Sequence, residues 1–170
     1  MGCRAVIFAS VGSMLPFDRL VKAVDEWARD NPGHGVFIQI GEGAYEPHYA
    51  SYARIMPMAD YREGLRLCDL FVAHVGMGAI LQGLEESKQM LLMPRQQKLG
   101  EHTTDHQLHT AARFGHRPGI KIVDDADALK LEIGRLITAP LVTGDRISDQ
   151  SSPELIAHVA RFLDSARPRH

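Results

Sequence analysis

Short apolar runs alternate with amphipathic segments along this chain. The runs have the length of strands, and apolar residues recur between them with helical spacing. Five strands are predicted: Ala5–Ala9, Val36–Ile40, Leu70–Val75, Met90–Met93 and Ile120–Val123. Helices are predicted from Pro16 to about residue 30, over about Ala59–Leu67, after Gly78, over about Thr104–Phe114, over Ala126–Thr138 and over Pro153–Ser165. Between the second strand and the second helix, Gly41–Pro57 is expected to be a long loop.

This order of elements is typical of one fold class. Continuously apolar strands that alternate with helices indicate a parallel sheet covered on both faces. A chain of 170 residues suits one domain of this kind. We therefore expect a single α/β, Rossmann-like, doubly wound domain over residues 1–170, with its core at about 4–140 and a C-terminal helix at about 153–165.

Composition narrows the function classes. Hydrophobic residues make up 45% and charged residues 24%, as in globular proteins. A net charge of -2, from 19 basic and 21 acidic residues, gives no electrostatic reason to expect nucleic-acid binding. Two cysteines predict neither a disulfide framework nor a zinc site. No apolar run approaches the length of a membrane span.

The densest candidate chemistry lies in residues 69–107. The predicted strand Leu70–Val75 ends in His74-Val75-Gly76-Met77-Gly78, and a helix pattern follows. The next strand stops at Pro94-Arg95, before a polar loop that runs to Asp105-His106-Gln107. Ligands of parallel α/β sheets bind at the carboxyl ends of the strands, where both polar clusters fall. Glycines before a helix start are suited to phosphate, because they allow close backbone approach to free N–H groups.

Familiar nucleotide and hydrolase motifs are missing. The dinucleotide fingerprint requires a third glycine, and Leu81 stands in its place. Neither a P-loop nor a G-x-S-x-G nucleophile elbow occurs. Nicotinamide enzymes, P-loop enzymes and serine hydrolases are therefore disfavoured.

Three histidines leave two readings open. His102, His106 and His109 would share one face of a helix, and with Asp105 they could bind zinc in a metal-dependent hydrolase. Ligands on successive turns of one straight helix do not easily converge on one ion, however. The alternative is an ordinary helix start, with a capping box formed by Thr104 and Gln107.

Arg95 and the loop after it suggest a sugar ligand. Arg95 directly follows a strand and Pro94, so we expect its side chain in the ligand crevice. Glu101, His102, Asp105 and Gln107 add many hydrogen-bonding groups within a few residues. Such density is suited to a ligand rich in hydroxyl groups.

Taken together, the motifs resemble the C-terminal, donor-binding domain of glycosyltransferase family 28, which is half of a GT-B enzyme. The matching segments span the chain: Ser10-Val11-Gly12 before Phe17-Asp18, His74-x-Gly76-Met77-Gly78, Leu84-Glu85, Pro94-Arg95 and Gly100-Glu101-His102-x-x-Asp105-His106-Gln107. The likeness is greatest to the small subunits of two-component bacterial exopolysaccharide glycosyltransferases. It extends to the catalytic subunit of the dolichol-pathway UDP-N-acetylglucosamine transferase.

The resemblance implies an inverting enzyme that uses a UDP-sugar and needs no cofactor or obligatory metal. It implies a donor and UDP site at Gly12, Ser13, His74, Gly76, Met77, Gly78, Ala79, Gln82 and Glu85. Gly12 and Ser13 would face the acceptor side. Many relatives have a ribose-binding Glu where this chain has Gln82, and Glu85 is the alternative for that role. The sugar would contact Arg95, Glu101, His102, Asp105, His106 and Gln107.

The resemblance also implies a second protein. Such enzymes bind the acceptor with another domain, which we expect to be a membrane-anchored subunit that holds a lipid-linked saccharide and supplies the general base. This chain would be cytoplasmic, at the inner face of the plasma membrane through its partner. Since Arg can grip a carboxylate, Arg95 favours UDP-glucuronate over UDP-N-acetylglucosamine. A nucleotide-sugar-binding module without its own catalysis is the remaining alternative.

Overall fold

Six parallel strands form one sheet in the computed structural model, which describes residues 4–143 together with Pro153, Glu154, Ala157, His158 and Arg161. The strands are β1 Val6–Ser10, β2 Gly35–Gln39, β3 Ser51–Ala53, β4 Leu70–His74, β5 Met90–Met93 and β6 Ile120–Ile122. The helices are α1 Asp18–Asp30, α2 Met58–Leu67, α3 Met77–Glu85, α4 His106–Phe114 and α5 Ala126–Thr138. A 3-10 turn, Gln97–Leu99, follows β5.

The strand order is β3-β2-β1-β4-β5-β6, so the chain winds outward from the centre in two directions. The strand order reverses between β1 and β4. These two strands pair from Ile7 with Leu70 to Ser10 with Ala73. Loops that follow these two strands diverge to opposite sides and leave a crevice at the carboxyl edge. This topology confirms the predicted Rossmann-like fold.

Alternating side chains of the strands build a core on each face. Ile7 and Ala9 point to the face covered by α1 and α5, where Leu20, Val24 and Ile133 are fully buried. Phe8 and Phe71 point to the other face, against α2, α3 and α4. The central strands β1, β4 and β5 are therefore covered on both sides, which is why they read as continuous apolar runs.

The predicted strands are confirmed, but the sequence missed β3. This edge strand has three residues, pairs with β2 alone and carries the exposed side chains of Ser51 and Tyr52. It has no apolar run because it has no buried face. Helix α1 begins at Asp18, two residues later than the predicted start at Pro16. Of the predicted C-terminal helix, five residues are described and all five are helical; its other residues lie outside the described part of the chain.

A buried carboxylate organises the segment before β3. Asp25 on α1 is fully buried, and its oxygens accept hydrogen bonds from the Tyr45 hydroxyl at 2.8 Å and from the N–H groups of His48, Tyr49 and Ala50 at 2.8–2.9 Å. Burial tends to raise the pKa of Asp25, but these donors outweigh it and the pKa is lowered. The loop is therefore tied to a helix some twenty residues earlier in the chain.

Candidate functional site

A cavity of about 500 Å³ lies at the carboxyl ends of β1, β4 and β5. It lies beside the point between β1 and β4 where the strand order reverses. One wall is the segment after β1, from Val11 to Leu15. The floor is the first turn of α3, and the opposite wall carries Arg95, His102 and His106. Its position is the one expected for a ligand site in a doubly wound sheet.

The N-terminus of α3 opens into this cavity. Gly76 is the N-cap residue and has no side chain to satisfy the N–H groups of the first turn. The first intrahelical bond runs from the N–H of Ile80 to the carbonyl of Gly76, so the N–H groups of Met77, Gly78 and Ala79 have no partner within the helix. A Cβ on Gly78 would meet no heavy atom within 4 Å. The turn therefore offers an open, electropositive surface to an anion.

His74 lies between two glycines of the cavity wall. A Cβ on Gly76 would overlap its Nε2 atom, and a Cβ on Gly12, at φ +77°, would lie 2.8 Å from its Cε1 atom. Burial first, and the positive charge of Arg95 second, lower the pKa of His74 to about 4. Its Nδ1 atom is buried without a hydrogen-bond partner among the described residues. His74 is thus a neutral imidazole at neutral pH.

The sequence predicted that the Arg95 side chain would extend into the ligand crevice, but in the structure it does not extend freely there. Its side chain lines the cavity, but the residue is only 2% exposed. Its Nη2 atom donates to the carbonyls of Val11 at 2.7 Å and Leu15 at 2.6 Å. Burial lowers its pKa, and its Nε atom has no partner within the described part of the chain. Arg95 therefore braces the segment after β1 while leaving an unmatched N–H beside the cavity.

The charges around the cavity have one sign. Among the described residues that line it, none is Asp, Glu or Lys. The titratable lining groups are Tyr61, His74, Arg95, His102 and His106. A buried guanidinium with no neighbouring carboxylate in the lining favours an anionic ligand.

Twelve of the fifteen residues predicted for the site line this cavity. They are Gly12, Ser13, His74, Gly76, Met77, Gly78, Ala79, Gln82, Arg95, His102, His106 and Gln107. Gln82 lines the cavity, whereas Glu85 is not among the lining residues described. Gln107 is 3% exposed, and its Oε1 atom accepts a hydrogen bond from the backbone N–H of Arg95 at 3.0 Å.

Glu101 and Asp105 are not placed as the sequence predicted. The Glu101 carboxylate forms a two-pronged ion pair with Arg19, at 2.7 and 2.8 Å, and borders a separate cavity of about 380 Å³. Asp105 Oδ1 accepts the N–H of Gln97 at 2.9 Å. Both carboxylates bind the loop that contains them and lie outside the lining of the main cavity.

The three histidines do not form a metal site. The rings of His102 and His106 meet edge to face with centroids 4.4 Å apart, whereas His109 is exposed and outside the lining. Within residues 4–143 and the five described beyond them, no three His, Cys, Asp or Glu side chains are grouped for a metal ion. The predicted capping box is also wrong, since α4 begins after Asp105 without a side-chain cap and Gln107 binds Arg95 instead.

Sequence reasoning missed several lining residues. Ser10 and Gln39 are register partners at the ends of β1 and β2, and the Ser10 hydroxyl donates to Gln39 Oε1 at 3.3 Å. A polar residue that closes an apolar strand was the signal for both. The cavity rim is apolar and exposed: Met14 is 83%, Ile55 62%, Met58 58% and Met77 45% exposed. Met77 was predicted from the glycine motif, but no local pattern identifies Met14, Ile55 and Met58, because they come from separate segments of the chain.

Comparison with known proteins supports the fold. No protein-family profile and no curated protein sequence matches the chain. Among solved structures, it is similar to the glycosyltransferase of kitacinnamycin, with 23% identity over 82% of this chain and 36% of that one and a TM-score of 0.60. The UDP-GlcNAc 2-epimerase from Neisseria meningitidis, bound to UDP-GlcNAc, gives a TM-score of 0.63 at 10% identity over 94% and 45% of the two chains.

A third similar structure is the NMR solution structure of ALG13, with a TM-score of 0.57 and 15% identity over 91% of this chain and 94% of that one. At these identities the likeness is one of fold, and the fold matches the C-terminal half of GT-B glycosyltransferases. The chain spans less than half the length of the first two structures but nearly the whole of the third. In the part of the chain described, no helix has the length and hydrophobicity needed to cross a bilayer.

Proposed function

We propose that this chain is the donor-binding subunit of an inverting UDP-sugar glycosyltransferase. The observation that carries the proposal is the cavity at the α3 N-terminus, where open N–H groups and a buried Arg95, whose Nε–H has no partner among the described residues, face a lining without carboxylates. A nucleotide diphosphate supplies the negative charge that this lining lacks. The fold shared with GT-B glycosyltransferases makes a nucleotide-sugar the ligand of choice.

The diphosphate would bind at Met77–Ala79. The N–H groups there can donate to phosphate oxygens, and the helix dipole favours their charge. Neutral His74 can donate one further hydrogen bond, since burial keeps it from carrying a charge of its own. Binding at this turn requires no divalent ion to neutralise the phosphates.

The remaining lining residues divide between the two ends of the donor. Gln82, on the second turn of α3, would contact the ribose. His102, His106 and Gln107 would contact the sugar from the opposite wall. For the sugar itself we favour UDP-glucuronate over UDP-N-acetylglucosamine, because a hexuronate carboxylate would lie near imidazoles and in the positive field of the buried Arg95, with no acidic lining group.

The acceptor side would come from a second protein. A GT-B site lies between two domains, and this chain matches one of them. The exposed rim of Met14, Ile55, Met58 and Met77 offers an apolar border to a partner. We propose a membrane-anchored subunit that binds a lipid-linked saccharide in bacterial exopolysaccharide synthesis, with this chain held at the cytoplasmic face. The partner would also supply the general base, since no carboxylate among the described residues lines the cavity.

Calorimetric titration in the presence of EDTA tests the donor site. UDP, UDP-glucuronate and UDP-N-acetylglucosamine should each bind without added metal, with UDP-glucuronate the tightest. Gly78→Val should abolish binding of all three, because its side chain would project into the open space above the first turn. Gly33→Val is the matched control, since Gly33 also has open space around its Cβ position but lies outside the cavity. Binding that requires a divalent ion, or that survives Gly78→Val, would refute the phosphate assignment.

A further inference from the structure

Two arginines lie against the ring of Phe17 and brace the two walls of the cavity. The guanidinium carbons of Arg19 and Arg95 are 5.3 and 5.2 Å from the centre of the Phe17 ring. Arg95 extends from the end of β5 to the segment after β1, as described above. Arg19 extends in the opposite direction, from the first turn of α1 to the loop between β5 and α4.

Arg19 joins four parts of the chain. Its Nε and Nη2 atoms donate to the two oxygens of Glu101, at 2.7 and 2.8 Å. Nη2 also donates to the carbonyl of Pro94 at 3.1 Å, and Nη1 to the carbonyl of Asp124 at 2.9 Å. The side chains of Arg19 and Glu101 are only 21% and 11% exposed. Their ion pair is therefore more shielded from solvent than a pair on the protein surface is. A two-pronged, partly buried pair of this kind holds its partners in one geometry.

Glu101 in turn folds the loop that follows β5. Its Oε2 atom accepts the N–H of Gln96 at 3.0 Å, and the chain between them turns through Gly100 in the left-handed conformation, at φ 69°. The next residue, His102, and His106 beyond it line the main cavity. The geometry of the sugar-side wall therefore depends on a carboxylate that does not itself line the cavity.

We propose that Arg19 is a positioning residue for the sugar half of the donor. Acting through Glu101, it holds residues 96–105 so that His102 and His106 face the cavity. The inference rests on the proposed function and assigns Glu101 a role different from the predicted sugar ligand. The α3 N-terminus takes no part in this network, since the hydrogen bonds of Arg19 go to Glu101, Pro94 and Asp124 and to the Met93 sulfur. Phosphate binding and sugar binding should therefore respond differently to its loss.

Calorimetry on Arg19→Gln, Arg19→Lys and Glu101→Gln tests the proposal. UDP affinity should stay within about twofold of the wild type, while UDP-sugar affinity falls about tenfold in Arg19→Gln and Glu101→Gln. Arg19→Lys should lose less, because it retains the charge but cannot form the two-pronged contact. The control is Lys130→Gln, which breaks the 3.0 Å pair of Lys130 with Glu26, also on α1, and touches no lining residue. It should leave both affinities unchanged.

The outcomes separate this proposal from the one on which it rests. Equal losses for UDP and UDP-sugar, or no loss for either, would overturn the positioning role. If the wild type binds no nucleotide at all, the proposed function fails, and amide hydrogen exchange then decides the role of Arg19. Exchange in residues 96–105 should be faster in Arg19→Gln, with residues 76–85 unchanged. Unaltered exchange in 96–105 would overturn the proposal even then.

Discussion

The imidazole of His74 occupies the space that a Cβ on Gly76 would need. Gly78, two residues later, has no heavy atom within 4 Å of its Cβ position. Glycine is therefore suited to the two positions of this motif for different physical reasons. Gly76 is required by the packing of a neighbouring side chain, whereas Gly78 leaves room above the open N–H groups of α3.

Alanine at these two positions should have opposite effects on stability. Gly76→Ala should displace His74 and lower the free energy of unfolding by about 1–3 kcal/mol, the usual cost of overpacking. Gly78→Ala should leave stability unchanged or raise it by up to about 1 kcal/mol, since alanine is the better helix former. Urea unfolding of the two variants measures both. A destabilised Gly78→Ala would mean that the space beside it is not open.

Arg95→Ala should reduce stability and the affinity for both UDP and UDP-glucuronate. The change removes a buried side chain and leaves the carbonyls of Val11 and Leu15 without their donor. A loss of about 2–4 kcal/mol in the free energy of unfolding is expected. Urea unfolding and calorimetry measure the two effects. A normal stability with a loss confined to UDP-glucuronate would show instead that the guanidinium grips the sugar carboxylate directly.

Donor binding should be accompanied by proton uptake at pH values below the ordinary histidine pKa of 6.5. Burial first, and the positive charges of His106 and Arg95 after it, lower the pKa of His102. A bound anion offsets those charges and raises that pKa, so the complex binds more protons and affinity increases as the pH falls. Calorimetry in two buffers of different ionisation enthalpy measures the uptake. His102→Gln should reduce it, and His109→Gln, outside the lining, should not.

Asp25→Asn should be strongly destabilising at neutral pH. The carboxylate holds four donors of the segment before β3, and its loss should cost about 2–4 kcal/mol in the free energy of unfolding. The folded-state pKa is lowered, so the stabilisation from ionised Asp25 is fully present above its ordinary value of 3.8 and is lost as the pH falls below it. Urea unfolding at pH 7 and pH 3 should show the gap between wild type and variant narrowing. Asp30→Asn, which breaks an exposed pair with Arg29, is the control that should change little.

The isolated chain should bind UDP yet show negligible transferase activity. Its cavity is lined by no carboxylate among the described residues, and its fold matches one half of a GT-B enzyme. Co-expression with a membrane-anchored partner encoded nearby should restore transfer to a lipid-linked saccharide, which a radiolabelled donor assay measures. Robust turnover by the chain alone would contradict the half-enzyme proposal. UDP-sugar binding without turnover in the complex would indicate a binding module.

Local patterns in the sequence were enough to predict the fold and the floor of the cavity. Apolar runs mark β1, β4 and β5, because these central strands are buried on both faces, and apolar residues also mark the partly buried β2 and β6. The order of strands and helices then places Gly76–Ala79 at the carboxyl edge of the sheet, as any parallel α/β topology requires. These features depend on residues close together along the chain.

The roles of the polar side chains were decided only by the tertiary structure. Glu101 pairs with Arg19 across 82 residues, and Arg95 reaches Val11 across 84. A charged residue after a strand has the same sequence signature whether it faces a ligand or a distant backbone carbonyl. The difference depends on which loops approach each other once the sheet has formed, and burial makes the nearest donor or acceptor the partner. For this reason the sequence predicted a sugar ligand at Glu101, where the fold places one end of an internal brace.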